Sequence, residues 1–251
     1  MGKTITFALV LKNVKKTLKM VSKQKEVQGD KNLGNIESAL SRTELFIENN
    51  QKLLVNALIV VLAIAMLIIA GNRYILQPKN EEAAASMYMA ERYFERDSFN
   101  LALNGYGTFP GFIDVIDEYS IAKSAKLAKY YAGVCYLELG DYESAISYLS
   151  KYRTRDLITG AAAMSALGDA YSEIQEYDKA VSTYIRAAKK YENKFSSPII
   201  LKKAGIVYEE MEALNKALEV YKRISLEYPE SNEGREMKKY IGRVEAKLDF
   251  L

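Results

Sequence analysis

Few side chains in this 251-residue chain have the type and spacing to do chemistry. Histidine is absent, which removes histidine-dependent nucleophile triads and imidazole metal ligation. The single cysteine, Cys135, can form neither an internal disulfide nor a multi-cysteine zinc site, and no basic neighbour in the sequence favours its thiolate. Carboxylates are plentiful, yet no two form an acid–base couple: Asp114, Asp117 and Glu118 read as one solvated helix face. The stretch from Gly105 to Gly111, GYGTFPG, has the composition of a phosphate cradle, but it follows a helical pattern rather than a strand. It reads as a stretched loop between repeats. Gly2-Lys3-Thr4 lacks the upstream glycine and strand of a phosphate loop. No catalytic residue, cofactor or metal is expected, and function must reside in surfaces.

The elements that carry those surfaces are set out by charge and hydropathy. The chain holds 35 Lys and Arg against 32 Asp and Glu, a net charge of +3. Residues 1–52 alone carry +5, and the remainder carries −2. Between the two lies Leu53 to Ala70, LLVNALIVVLAIAMLIIA, with no charge and Asn56 as its one polar side chain. At about 1.5 Å per residue these residues cover roughly 27 Å, close to the hydrocarbon core of a bilayer. Lys52, Arg73 and Tyr74 suit the two interfaces, and Ile75 and Leu76 extend the apolar run, so a transmembrane helix is expected over 53–76. The run starts too far into the chain, and is too long, for a cleaved signal peptide. The basic arm, 1–52, is expected in the cytoplasm, with Met20 an alternative start and Ile36 to Gln51 a helical stem. The body, 77–251, is then expected outside, where one cysteine offers no partner for a wrong bridge.

The body is repetitive. Gly133, Gly168 and Gly205 are each followed three residues later by a tyrosine (Tyr136, Tyr171, Tyr208) and twelve later by an alanine (Ala145, Ala180, Ala217). Sixteen residues after each stands Leu149, Tyr184 or Tyr221. An earlier unit fits the same register with Ala90, Tyr93, Ala102 and Tyr106. Small residues on successive antiparallel helices let the backbones approach, and large residues at plus three and plus sixteen fill the space beside them. Turn signals fall between the paired helices, with Gly140 suited to a left-handed helix end. These positions resemble the tetratricopeptide repeat, a helix–turn–helix unit of about 34 residues. The resemblance covers about residues 83–229, ends on Pro229, lacks the usual early tryptophan, and leaves Ser231 to Leu248 as a capping helix.

The expected fold is all-α: a single transmembrane helix, then a tetratricopeptide-repeat solenoid of about four units and a C-terminal cap. In such a fold the first helix of each pair lines a concave face. The register assigns to it, as expected partner-binding residues, Met87, Phe94, Tyr130, Val134, Leu137, Asp169, Lys202 and Glu209. The first two units are apolar there and the last two polar, which suits an extended or helical peptide.

The arrangement of basic arm, uncleaved span and repeat body is similar to that of the YfgM family of bacterial inner-membrane proteins. That resemblance implies a non-enzymatic scaffold or co-chaperone beside the SecYEG translocon, with a membrane-anchored periplasmic chaperone of the PpiD type and newly exported polypeptides as partners. The repeat domain also resembles the BamD-like lipoproteins of outer-membrane assembly, whose lipidated cysteine is missing here. A structural subunit of another envelope machine, in secretion, motility or outer-membrane assembly, is the alternative.

Overall fold

The computed structural model describes residues 46–250, and the expectations for the arm and much of the stem lie outside them. The chain divides between Ala70 and Gly71 into two units. In the first, α1 (Gln51–Gly71) contains neither a buried residue nor a helix-breaking one before its terminal glycine. Its 21 residues are long and apolar enough to cross a membrane, at roughly 32 Å of helix.

In the second unit, helical backbone continues through a π-helical turn (Asn72–Leu76) into α2 (Gln77–Phe94). Pro78 sits in the first turn of α2, where its missing N–H leaves no helical bond unmade. There follow α3 (Phe99–Asn104), α4 (Phe112–Glu118), α5 (Lys123–Glu138), α6 (Tyr142–Lys151), α7 (Leu157–Glu173), α8 (Tyr177–Lys190), α9 (Ser196–Glu210), α10 (Leu214–Glu227) and α11 (Asn232–Asp249). Among the described residues the only extended pairing is an isolated bridge, Tyr106 with Phe109. This is a tetratricopeptide-repeat solenoid: α5 pairs with α6, α7 with α8, and α9 with α10, each pair antiparallel.

One contact fixes each of those pairs. A Cβ placed on Gly133, Gly168 or Gly205 would overlap the side chain of Leu149, Tyr184 or Tyr221, respectively. The glycine on the first helix is therefore the seat for the large residue sixteen positions later on the second. Leu149, Tyr184 and Tyr221 are accordingly buried, as are Ala145, Ala180 and Ala217. Gly160 takes the ring of Tyr191 in the same way, a second seat within the third unit.

The first unit departs from the pattern. Its plus-sixteen residue, Tyr106, was expected in the core and is instead 67% exposed. The cause is local: α3 stops after six residues, at a glycine with φ of +77°, so the register position falls in the loop. That loop, Gly105 to Gly111, divides the second helix of the unit rather than merely joining two repeats. α4 restarts behind it, with the Gly111 N–H donating to Asp114 Oδ2 at 2.8 Å. Phe112 and Val115 of α4 then complete the core with Met87, Ala90, Ala102 and Leu103.

The turns inside the pairs repeat more faithfully than their residues do. Asp97, Gly140, Gln175 and Glu212 occupy the same register position and all have positive φ, between 55° and 80°. In each turn the next N–H, that of Ser98, Asp141, Glu176 or Ala213, reaches back to the carbonyl of Tyr93, Tyr136, Tyr171 or Tyr208 at 2.9 Å. This is the Schellman closure, which satisfies helix-end carbonyls at the cost of one left-handed residue. Only Gly140 adopts that conformation without steric strain.

Four substitutions, each read by chemical denaturation of the purified chain, test these contacts. Glu212→Gly relieves a left-handed side chain and raises stability by roughly 0.5–1 kcal/mol, whereas Gly140→Ala lowers it by about 1 kcal/mol. Gly168→Ala drives a methyl into the Tyr184 ring and costs about 1–3 kcal/mol. Gly242→Ala, on a helix surface where a Cβ meets nothing within 4 Å, instead stabilises by up to about 1 kcal/mol.

Candidate protein-interaction surface

The first helices α2, α5, α7 and α9 carry the positions expected to line the concave face, and the structure divides them into three groups. Met87 is core, and Phe94 is half-buried against it. Met87 is 4% exposed, and Phe94 packs edge-on to Phe99, Phe112 and Tyr131 at centroid distances of 5.7, 6.3 and 5.0 Å. This corrects the expectation that they face a partner. With the second helix of the unit broken into α3 and α4, the aromatic side chains of α2 close the gap themselves.

Tyr130, Val134 and Leu137 form the expected stripe on α5 and are half-buried. They pack against a cluster made of Ala145 and Leu149 of α6 and Ala163, Ala166, Leu167 and Ala170 of α7. The Tyr130 ring lies 5.7 Å from that of Tyr152 and 5.3 Å from that of Tyr131. Burial raises the Tyr130 phenol above its ordinary pKa, with the neighbouring tyrosines adding to the effect. The stripe thus seals the second unit onto the third and presents only part of its area.

Asp169, Lys202 and Glu209 are all engaged by neighbours. Asp169 accepts from Tyr184 Oη at 2.6 Å and from Lys203 Nζ at 2.7 and 2.8 Å. Lys202 Nζ donates to Glu236 at 2.6 Å and lies 4.9 Å from the centroid of the Tyr240 ring. Glu209 accepts from Tyr221 Oη at 2.8 Å and from Lys247 Nζ at 3.0 Å, and it pairs with Arg243. Its side chain is only 7% exposed. Burial alone would push the Glu209 carboxyl up, but its hydrogen bonds to Arg243, Lys247 and Tyr221 hold it below the usual carboxylate range. α11 therefore covers this part of the fourth unit.

Sequence reasoning did not find these ion pairs, although a signal for them existed. Asp169 with Lys203, Lys202 with Glu236 and Glu209 with Arg243 are each separated by 34 residues, one repeat length. Opposite charges one period apart sit on adjacent, parallel first helices. By the same spacing, α11 stands where the first helix of a fifth unit would stand. Ile206, 38% exposed on α9, is the most open apolar side chain in the register of this face.

No group of three His, Cys, Asp or Glu among the described residues is placed to hold a metal. Cys135 is buried in the core, and that burial pushes its thiol up to about 12, so it stays protonated and unreactive.

The tetratricopeptide repeat family matches residues 127–156 and 163–194, which cover most of the α5–α6 and α7–α8 pairs. No curated protein matches the chain. Among solved structures, the crystal structure of MamA is similar with a TM-score of 0.45 and 22% identity, over 64% of this chain and 94% of that one.

Because Glu209 is held below its ordinary pKa, its ion pairs stabilise the native state fully above the unfolded carboxylate value. That stabilisation disappears as pH falls through the depressed native value. Glu209→Gln is therefore less stable than the parent chain at neutral pH, and the gap between their denaturation midpoints closes below about pH 4. A gap independent of pH would contradict the assigned ion pairs.

Proposed function

We propose that the chain is a non-enzymatic, membrane-anchored scaffold that holds protein partners at the bacterial cytoplasmic membrane. A tetratricopeptide solenoid is a protein–protein interaction scaffold. The observation that carries the anchored reading is α1, 21 predominantly apolar residues whose only charge is Lys52, with no buried side chain, immediately ahead of that solenoid in the chain. The arm of +5 before it favours an amino end in the cytoplasm and a body outside. With the resemblance to the YfgM family, this supports the SecYEG translocon and a periplasmic chaperone of the PpiD type as the assembly it joins, with exported chains passing nearby. The exposed part of the α5 stripe, together with Ile206, is the face offered to them.

A second reading, a fixed structural subunit of another envelope machine, is favoured by the ion pairs between successive first helices. They stiffen the solenoid and occupy polar groups that a peptide groove would leave open.

Purification of the tagged full chain in a gentle detergent tests both. Translocon subunits and a periplasmic chaperone recovered in stoichiometric amounts are the expected result. One unrelated envelope complex, recovered tightly and without translocon subunits, supports the second reading and contradicts the first. Ile206→Glu, at a site already open to water, should shift stability by no more than about 1 kcal/mol while lowering partner recovery severalfold. Undiminished recovery removes this face from the account.

A further inference from the structure

In its second and third units the two edges of the solenoid differ in charge and in hydropathy. One edge holds the turns inside the pairs. There Glu138, Asp141, Glu143, Glu173, Glu176 and Asp178 are all exposed. The other edge holds the joints between pairs, where each second helix ends and the next first helix starts. In its two central joints, residues 150–158 and 189–196, Lys151, Arg153, Arg155, Lys189, Lys190 and Lys194 are all exposed. None of these six makes an ion pair with a carboxylate among the described residues. Only Asp156 and Glu192 carry negative charge in these joints. Asp156 is already committed to capping α7, accepting from the N–H groups of Ile158 and Thr159 at 3.1 and 2.7 Å.

The basic edge is also where large apolar side chains stand out into solvent. Ile121, Ile158 and Phe195, at the starts of α5, α7 and α9, are 53%, 53% and 72% exposed. They are not loose. Phe195 is held by a turn in which Asn193 Oδ1 accepts from the N–H groups of Phe195 and Ser196 at 2.9 and 2.7 Å. Exposed apolar side chains set among unpaired cations are what an interfacial membrane contact requires.

A cavity of about 290 Å³ opens among the same groups, lined by Tyr152, Arg153, Arg186, Lys190 and Tyr191 and by no acidic residue. It exists because α6 has 10 residues where its counterparts α8 and α10 have 14, so the wall beside α7 is a turn short. Arg153 Nη1 donates to the carbonyls of Ser150 and of Tyr152, the latter at 2.8 Å, so the donors a cavity of this size offers to a phosphate group are the remaining N–H groups of Arg153 together with Arg186 and Lys190.

The Lys123 N–H at the start of α5 donates to Asn80 Oδ1 at 2.7 Å, so Asn80 of α2 is level with the basic edge. Asn80 follows Leu76, the end of the apolar stretch, by only four residues, about 6 Å of helix.

We propose that this edge lies on an anionic bilayer through its two central joints, with their apolar residues at the interface, their cations among the headgroups and a lipid phosphate in the cavity beside Arg153. This surface is distinct from the face offered to protein partners, and it leaves the acidic edge turned away.

The full chain reconstituted in nanodiscs tests the proposal. Because Cys135 is buried, a fluorophore can be attached selectively through Phe195→Cys on the basic edge or Glu176→Cys on the acidic edge, and its quenching by nitroxide-headgroup lipids compared. In phosphatidylcholine discs containing phosphatidylglycerol, quenching at 195 should exceed that at 176 by about threefold or more, and should fall in 0.5 M salt or in phosphatidylcholine alone. Arg153→Glu with Lys194→Glu, both on exposed loops, should bring it to the level at 176 while circular dichroism is unchanged. The salt comparison needs no substitution, so the result does not hinge on the variant's folding. Equal quenching at the two positions overturns the proposal, as does quenching at 195 that ignores salt and lipid charge. Release of the edge by millimolar inorganic phosphate also overturns it, by showing a site for small anions instead of a bilayer contact.

Discussion

The close approach of a bare backbone to an aromatic ring organises the solenoid. Where Gly168 faces Tyr184 and Gly205 faces Tyr221, the absence of a Cβ lets the second helix bring a whole phenol across the first. Each buried ring then needs a partner for its hydroxyl, because an unpaired buried O–H is costly. Tyr184 finds Asp169 and Tyr221 finds Glu209. Those carboxylates, drawn inward, are in turn neutralised by Lys203 from the next first helix and by Arg243 and Lys247 from the cap. A packing requirement within one pair thereby becomes an electrostatic link between pairs. Burial raises both phenols well above the ordinary tyrosine pKa, with Asp169 and Glu209 adding to it, so each remains a donor.

The second unit shows what happens when the ring is absent. Gly133 faces Leu149, which has no hydroxyl, and Val134 stands where Asp169 stands one unit later. The join from the second unit to the third is consequently apolar, made by Tyr130, Val134 and Leu137 against the alanine-rich face of α7. The first unit has neither glycine nor seated ring: Ala90 replaces the marker, Tyr106 lies exposed in the loop, and aromatic packing among Phe94, Phe112 and Tyr131 takes over. Along the body the seam between first helices thus passes from aromatic to aliphatic to ionic. These three kinds of seam leave different amounts of open surface for a partner.

Periodicity made the repeat legible, because small and large residues recur at fixed offsets and those offsets are contacts. The left-handed turn was legible only at Gly140. Asp97, Gln175 and Glu212 hold the same conformation under tertiary constraint, without the residue type that announces it. The concave face was the least legible part. Register shows which residues share a helix face, but not whether a neighbouring helix has already taken that face. Met87 was lost to the core because α3 ended early, and Glu209 was enclosed because the cap helix follows the repeat period. The polarity of the two edges had to await the pairing of helices, since cations that lie together in space are almost 40 residues apart in sequence.

If ring-on-glycine seats and the ion pairs they recruit hold the body together, α7 to α11 should open as one cooperative block. Amide hydrogen exchange of the full chain in detergent, read by mass spectrometry, measures this directly. The account predicts that α7 to α10 exchange slowest and at a common rate, with α11 protected alongside them, while α3 and the Gly105 to Gly111 loop exchange first. Protection of α3 equal to that of α8, or independent early opening of α11, would contradict it.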